Sequence, residues 1–166
     1  MVKRIGRRFV SLLLTFVTIL TMLPAMTLPA LAATSGNVTG LTDSNIGLSF
    51  SGNADDAWSA NGTSITGAVT STAGTCSDTS HNSTLTIKNK KSTTATLSFD
   101  YSIEQNSGTI MVAGTSVTTK GSFSRELAAG GTIEVYIKSG STTATKITMT
   151  NVALVSDVTA CRKWYL

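Results

Sequence analysis

Histidine occurs once, and proline and cysteine twice each, in 166 residues. A lone His81 excludes a zinc site built on two or three histidines. Two cysteines can make neither a disulfide-dense scaffold nor a four-cysteine metal site. Both prolines, Pro24 and Pro29, precede the main domain, so it contains no Pro-rich linker. Charged residues are 13% and aromatics 6% of the chain. That sparseness excludes a charged disordered tail and an aromatic-and-arginine platform for nucleic acid. No G-x-S-x-G nucleophile elbow occurs.

The first 32 residues read as an address. Lys3, Arg4, Arg7 and Arg8 precede an apolar run from Phe9 to Leu23, and Ala30-Leu31-Ala32 supplies small residues before a cleavage point. This order predicts a secretory signal peptide over 1–32, with Ala33 as the mature start and no membrane attachment after cleavage. The chain carries 13 Lys and Arg against 9 Asp and Glu, and the four n-region cations account for the whole formal +4. The mature protein is therefore formally neutral, which removes the electrostatic case for nucleic acid as a partner. The expected location is extracellular, in association with a cell surface.

From Ala33 onward the chain reads as strands. Ser and Thr fill 45 of the 134 residues from that point. Hydroxyls compete with helical backbone bonds, and Thr is β-branched, so this composition suits the wet face of a sheet. Alternation of apolar and polar residues runs unbroken from Ala95 to Ile103. It recurs over Ser83–Lys88 and Thr132–Lys138, and more weakly over Asn45–Phe50, Ser64–Thr70 and Ser122–Leu127. Gly108–Ala113 and Thr115–Thr119 flank Gly114 as a tight hairpin would. In Thr145–Val155 the apolar phase switches from Ile147 and Met149 to Val152 and Leu154, which predicts a β-bulge at Asn151. The pattern predicts an all-β, antiparallel β-sandwich over 45–157, with a linker over 33–44 and a tail over 158–166.

The run from Leu85-Thr86-Ile87-Lys88-Asn89 to Ile147-Thr148-Met149-Thr150-Asn151-Val152-Ala153-Leu154, with Leu97-Ser98-Phe99-Asp100-Tyr101 and Gly121-Ser122-Phe123-Ser124 between, resembles a family. It is similar to the jelly-roll, galactose-binding-like modules of large secreted surface proteins of Firmicutes. The resemblance implies a jelly-roll sandwich that binds glycans or acts as a spacer. It carries no ligand residues across. The last six residues, Cys161 to Leu166, leave the Ser/Thr texture, and the expectation is a truncated form of a longer protein.

Catalytic residues are not expected. Cys76 and His81 share one polar loop and are not a convincing nucleophile pair. Asp100 with Glu104, and Glu126 with Glu134, are the carboxylate pairs that glycoside hydrolysis would need to bring together. They sit on polar faces, where solubility explains them. A flat aromatic ring can stack on a sugar, so Trp58 and then Tyr136 are the candidate ligand contacts. Asn53, Asp55 and Asp56 form a candidate calcium loop, to which Asp43 and Asp157 would add oxygens, and no other cofactor is implied. A Cys76–Cys161 disulfide would close a loop of about 85 residues and contribute about 4 kcal/mol in the chain-entropy account.

The expected function is a secreted, non-catalytic surface or binding module with a glycan or cell-wall polysaccharide as partner. The alternatives are a spacer or adhesin-stalk domain and, last, a glycoside hydrolase.

Overall fold

The computed structural model describes residues 34–54, 57–71, 81–104, 108–140 and 142–156. Eleven strands are found there, and no helix. They are β1 (Thr34–Asn37), β2 (Ile46–Gly52), β3 (Trp58–Asn61), β4 (Ser64–Val69), β5 (His81–Asn89) and β6 (Ala95–Glu104). The remainder are β7 (Thr109–Val112), β8 (Thr115–Ser116), β9 (Gly121–Leu127), β10 (Thr132–Ser139) and β11 (Thr145–Ser156). They form two antiparallel sheets, of order β1-β2-β5-β10-β7-β8 and β3-β4-β11-β6-β9. The described residues thus form an all-β, two-sheet antiparallel sandwich.

Alternation places the core. Leu85 and Ile87 of β5, Val135 and Ile137 of β10, and Ile110 of β7 point inward from the six-stranded sheet. Ile65 of β4, Ile147 and Met149 of β11 and Leu97 of β6 meet them from the five-stranded sheet, and all nine are fully buried. Each such side chain contributes about 1.5–3 kcal/mol relative to leaving it in water.

Two local predictions are met. The register of β11 against β6 shifts between Thr150 and Ala153, and Asn151 adopts a left-handed φ of 56°. An extra residue there turns the second half of β11 over, so that Val152 and Leu154 remain buried after Met149. The freed Val152 N–H donates to Thr63 O at 3.0 Å. The β7–β8 turn runs through Ala113 and Gly114 at φ 48° and 82°. Two successive positive φ values are the type I′ arrangement whose twist matches a hairpin.

Two strands depart from expectation. Residues 34–37, expected within a linker, form β1 at the edge of the first sheet. Trp58, expected in a loop, opens β3 at the edge of the second. Both segments are four residues long, β1 with no apolar side chain and β3 with a single alternation of Trp58 and Ala60, too short to read as a period, so pairing rather than propensity fixes them.

Asn89 fastens one end of the sandwich. It is fully buried at the end of β5, and its Nδ2 donates to Thr93 O, Leu127 O and Ala128 O, each at 3.0 Å. Its Oδ1 accepts the Lys91 N–H at 2.9 Å. One amide thus ties the β5–β6 and β9–β10 turns together.

Candidate functional site

Trp58 lies in the core, 6% exposed. It pairs directly with Gly67 of β4, and its ring occupies the space a side chain there would fill. A methyl group on Gly67 would overlap the indole and the δ-methyl of Ile137 from the opposite sheet. The indole N–H donates to Ser83 Oγ of β5 at 3.0 Å. Trp58 therefore joins the two sheets and keeps no free ring face for a sugar. The partners that bury it, Gly67, Ile137 and Ser83, are distant in sequence, so the sequence does not announce this placement.

Tyr136 stands where its period puts it, on the outer face of the six-stranded sheet. It is half-buried, directly opposite Thr84 of β5 and Met111 of β7. The cross-strand rows beside it run Glu134–Thr86–Ser49–Asn37 and Thr132–Lys88–Gly47.

On the same face lies an open groove of about 480 Å³ lined by Asn37, Gly47, Ser49, Thr86, Lys88 and Lys90, with Val38 on its wall. It exists because β1 stops at Asn37 while β2 and β5 run on. Val38 makes one last bond, its N–H to Leu48 O at 3.1 Å, and the chain then leaves the sheet. A second hollow of about 250 Å³ lies under the β7–β8 hairpin, between Arg125 and Glu134. The groove residues were not singled out from the sequence. Lys88 to Lys91 carries a charge cluster, but its composition reads equally as a turn.

The carboxylates are dispersed. Glu126 is on the outer face of the five-stranded sheet and Glu134 on that of the other, so the sandwich separates them. Glu104 pairs with Lys146 at 3.3 Å on the surface. Asp100 accepts Ser122 Oγ–H at 2.6 Å and Asn151 Nδ2–H at 3.0 Å. These two donors, Ser122 first, hold its carboxyl below the ordinary carboxylate value.

Asn53 Oδ1 accepts the Asn82 N–H at 2.6 Å, continuing the strand-like contact of the Asn53 N–H with Asn82 O. Asp43 Oδ1 accepts both the backbone and the side-chain N–H of Asn45, at 2.9 and 3.0 Å, in an Asx turn. Asp55, Asp56, Asp157, Cys76 and Cys161 lie outside the described residues, as does the segment 1–32. Among the described residues no three His, Cys, Asp or Glu side chains come together as a metal site. His81 begins β5, half-buried and opposite Ser139.

Comparison with protein-family models, with curated proteins and with solved structures gives no match. The site is therefore interpreted from its own chemistry.

Proposed function

We propose that the chain is an exported, non-catalytic surface module of jelly-roll type, which binds carbohydrate on the outer face of its six-stranded sheet. The carrying observation is the groove on the face of Tyr136, whose amide, hydroxyl and lysine side chains stand beside the apolar residues Val38, Ile46 and Leu48, a mixture that suits the hydroxyls and the carbon face of a sugar. The formal neutrality of residues 33–166 sets nucleic acid aside. Glu126 and Glu134, one of the two carboxylate pairs hydrolysis would need, stand on opposite outer faces, which supports a non-catalytic reading.

The test is retention of the exported protein on a polysaccharide panel, with N-terminal sequencing of the secreted product expected to begin at Ala33. Retention that weakens in Tyr136→Ala, with the fold intact, would support the reading. A folded protein retained by no polysaccharide would end it.

A spacer or adhesin-stalk domain of a larger surface protein is the second reading. The burial of Trp58 favours it, because the residue best suited to sugar stacking is spent on joining the sheets. The polysaccharide panel separates the two.

A further inference from the structure

We infer that the ligand of the groove is an acidic polysaccharide, a hydroxyl-rich chain bearing one carboxylate per one or two sugar rings. The inference rests on the carbohydrate-binding reading above and narrows it.

Two cations define the groove. Lys88 projects from β5 on the outer face, and Lys90 follows at the end of that strand. Gly47 forms the floor. A methyl group there would stand 3.2 Å from Lys90 Cδ and 3.5 Å from Lys88 Cβ, so the lysine stems lie along the bare glycine backbone. Long cationic side chains lay their methylenes on such surfaces and leave the ammonium in water. Both lysines are exposed, and among the described residues neither forms an ion pair, whereas Lys146 does so with Glu104.

Among the described residues, two acids lie near the groove. The Lys90 N–H donates to Asn45 O, which brings the Asp43–Asn45 turn alongside; Asp43 Oδ1 accepts from the two Asn45 donors, and Asp43 is not in the groove lining. Glu134 lies beyond Thr86, one strand further from the groove, and borders the other hollow. Among the described residues, the groove lining thus holds two lysines and no carboxylate.

The uncharged lining chooses the ligand class. Asn37, Ser49 and Thr86 offer hydrogen bonds that a densely charged polymer with few hydroxyls would leave unused. A uronic-acid chain has several ring hydroxyls for each carboxylate, in keeping with three such side chains beside two ammonium groups. Lysine suits this task, since a rotatable point charge accepts a carboxylate without fixing its plane. Tyr136 lies four residues along the rows from Lys88, about 13 Å at the rise of a strand, so a chain of a few sugars reaches both.

The experiment measures binding of the exported protein to polygalacturonate and hyaluronate, to their methyl esters, and to a neutral glucan. Esterification removes the charge and keeps the hydroxyls. The inference expects binding to the acids, about tenfold weaker for the esters and for Lys88→Gln/Lys90→Gln, and weakened by salt. Gly47→Val should fill the groove and abolish binding, since the valine meets only movable lysine stems. Equal binding to acid and ester, unmoved by the lysine changes, would overturn the acidic ligand and leave the carbohydrate reading standing. Binding to no polymer would overturn both.

Discussion

The five-stranded sheet has two edges, and they are finished in opposite ways. At one, β3 is four residues long and anchored by a buried tryptophan that reaches the facing sheet. At the other, β9 is seven residues long, and of these only Leu127 is buried. Its Phe123 stacks on Phe99 at 4.9 Å between centroids and stays only partly buried. Arg125, on the same inner side, places its guanidinium 5.9 Å from the Phe123 centroid. An exposed strand edge invites pairing with another chain, and proteins blunt edges by shortness or by an inward-pointing charge. The β3 edge uses the first device and the β9 edge the second. Each aromatic residue takes its role from what faces it, a glycine and a serine for Trp58, a guanidinium for Phe123.

The sharpest break in this comparison is Trp58→Ala, which removes the joint between the sheets and should cost about 3–5 kcal/mol in chemical denaturation. Gly67→Ala leaves the tryptophan in place but overpacks it, and should cost about 1–3 kcal/mol. Phe123→Ala, at the open edge, should cost only about 1–2 kcal/mol because part of its surface is already in water. If it cost as much as Trp58→Ala, the contrast between the edges would collapse. Arg125→Leu should change stability by less than about 1 kcal/mol. Its readout is association: sedimentation should reveal concentration-dependent oligomers once the edge loses its charge.

The smallest effect belongs to Asp100, which helps hold β9 from the outside through Ser122. Its folded-state pKa is lowered, so its stabilisation is present above the unfolded value and is lost as pH falls through the folded one. NMR titration should place the Asp100 midpoint below that of an ordinary aspartate. The double variant Ser122→Ala/Asn151→Ala should return it upward.

Much of the fold was legible because a half-buried strand writes its two faces into alternate residues. β6 and β10 carry that signal over their whole length, and the phase change in β11 located the bulge at Asn151. β1 and β3 carry no such record, since their place depends on partners rather than on period. For the site, Tyr136 was legible as an outward residue by counting alternate positions. The groove was not, because it arises from the end of β1, a boundary no side chain announces. Trp58 was legible as important, but its burial depends on a glycine across the pair and a serine from the other sheet.

The position of β11 governs when this sandwich can assemble. It lies between β4 and β6, and joins the β3–β4 pair to β6 and β9. A chain appearing from its N-terminus has ten of the eleven strands out before the strand that unites the second sheet exists. Until Thr145–Ser156 arrives, β4 and β6 each have one flank without a partner, and the sandwich cannot close. Pairings between distant segments form slowly in any case. The second sheet is therefore completed last, by the strand that clasps its two halves together.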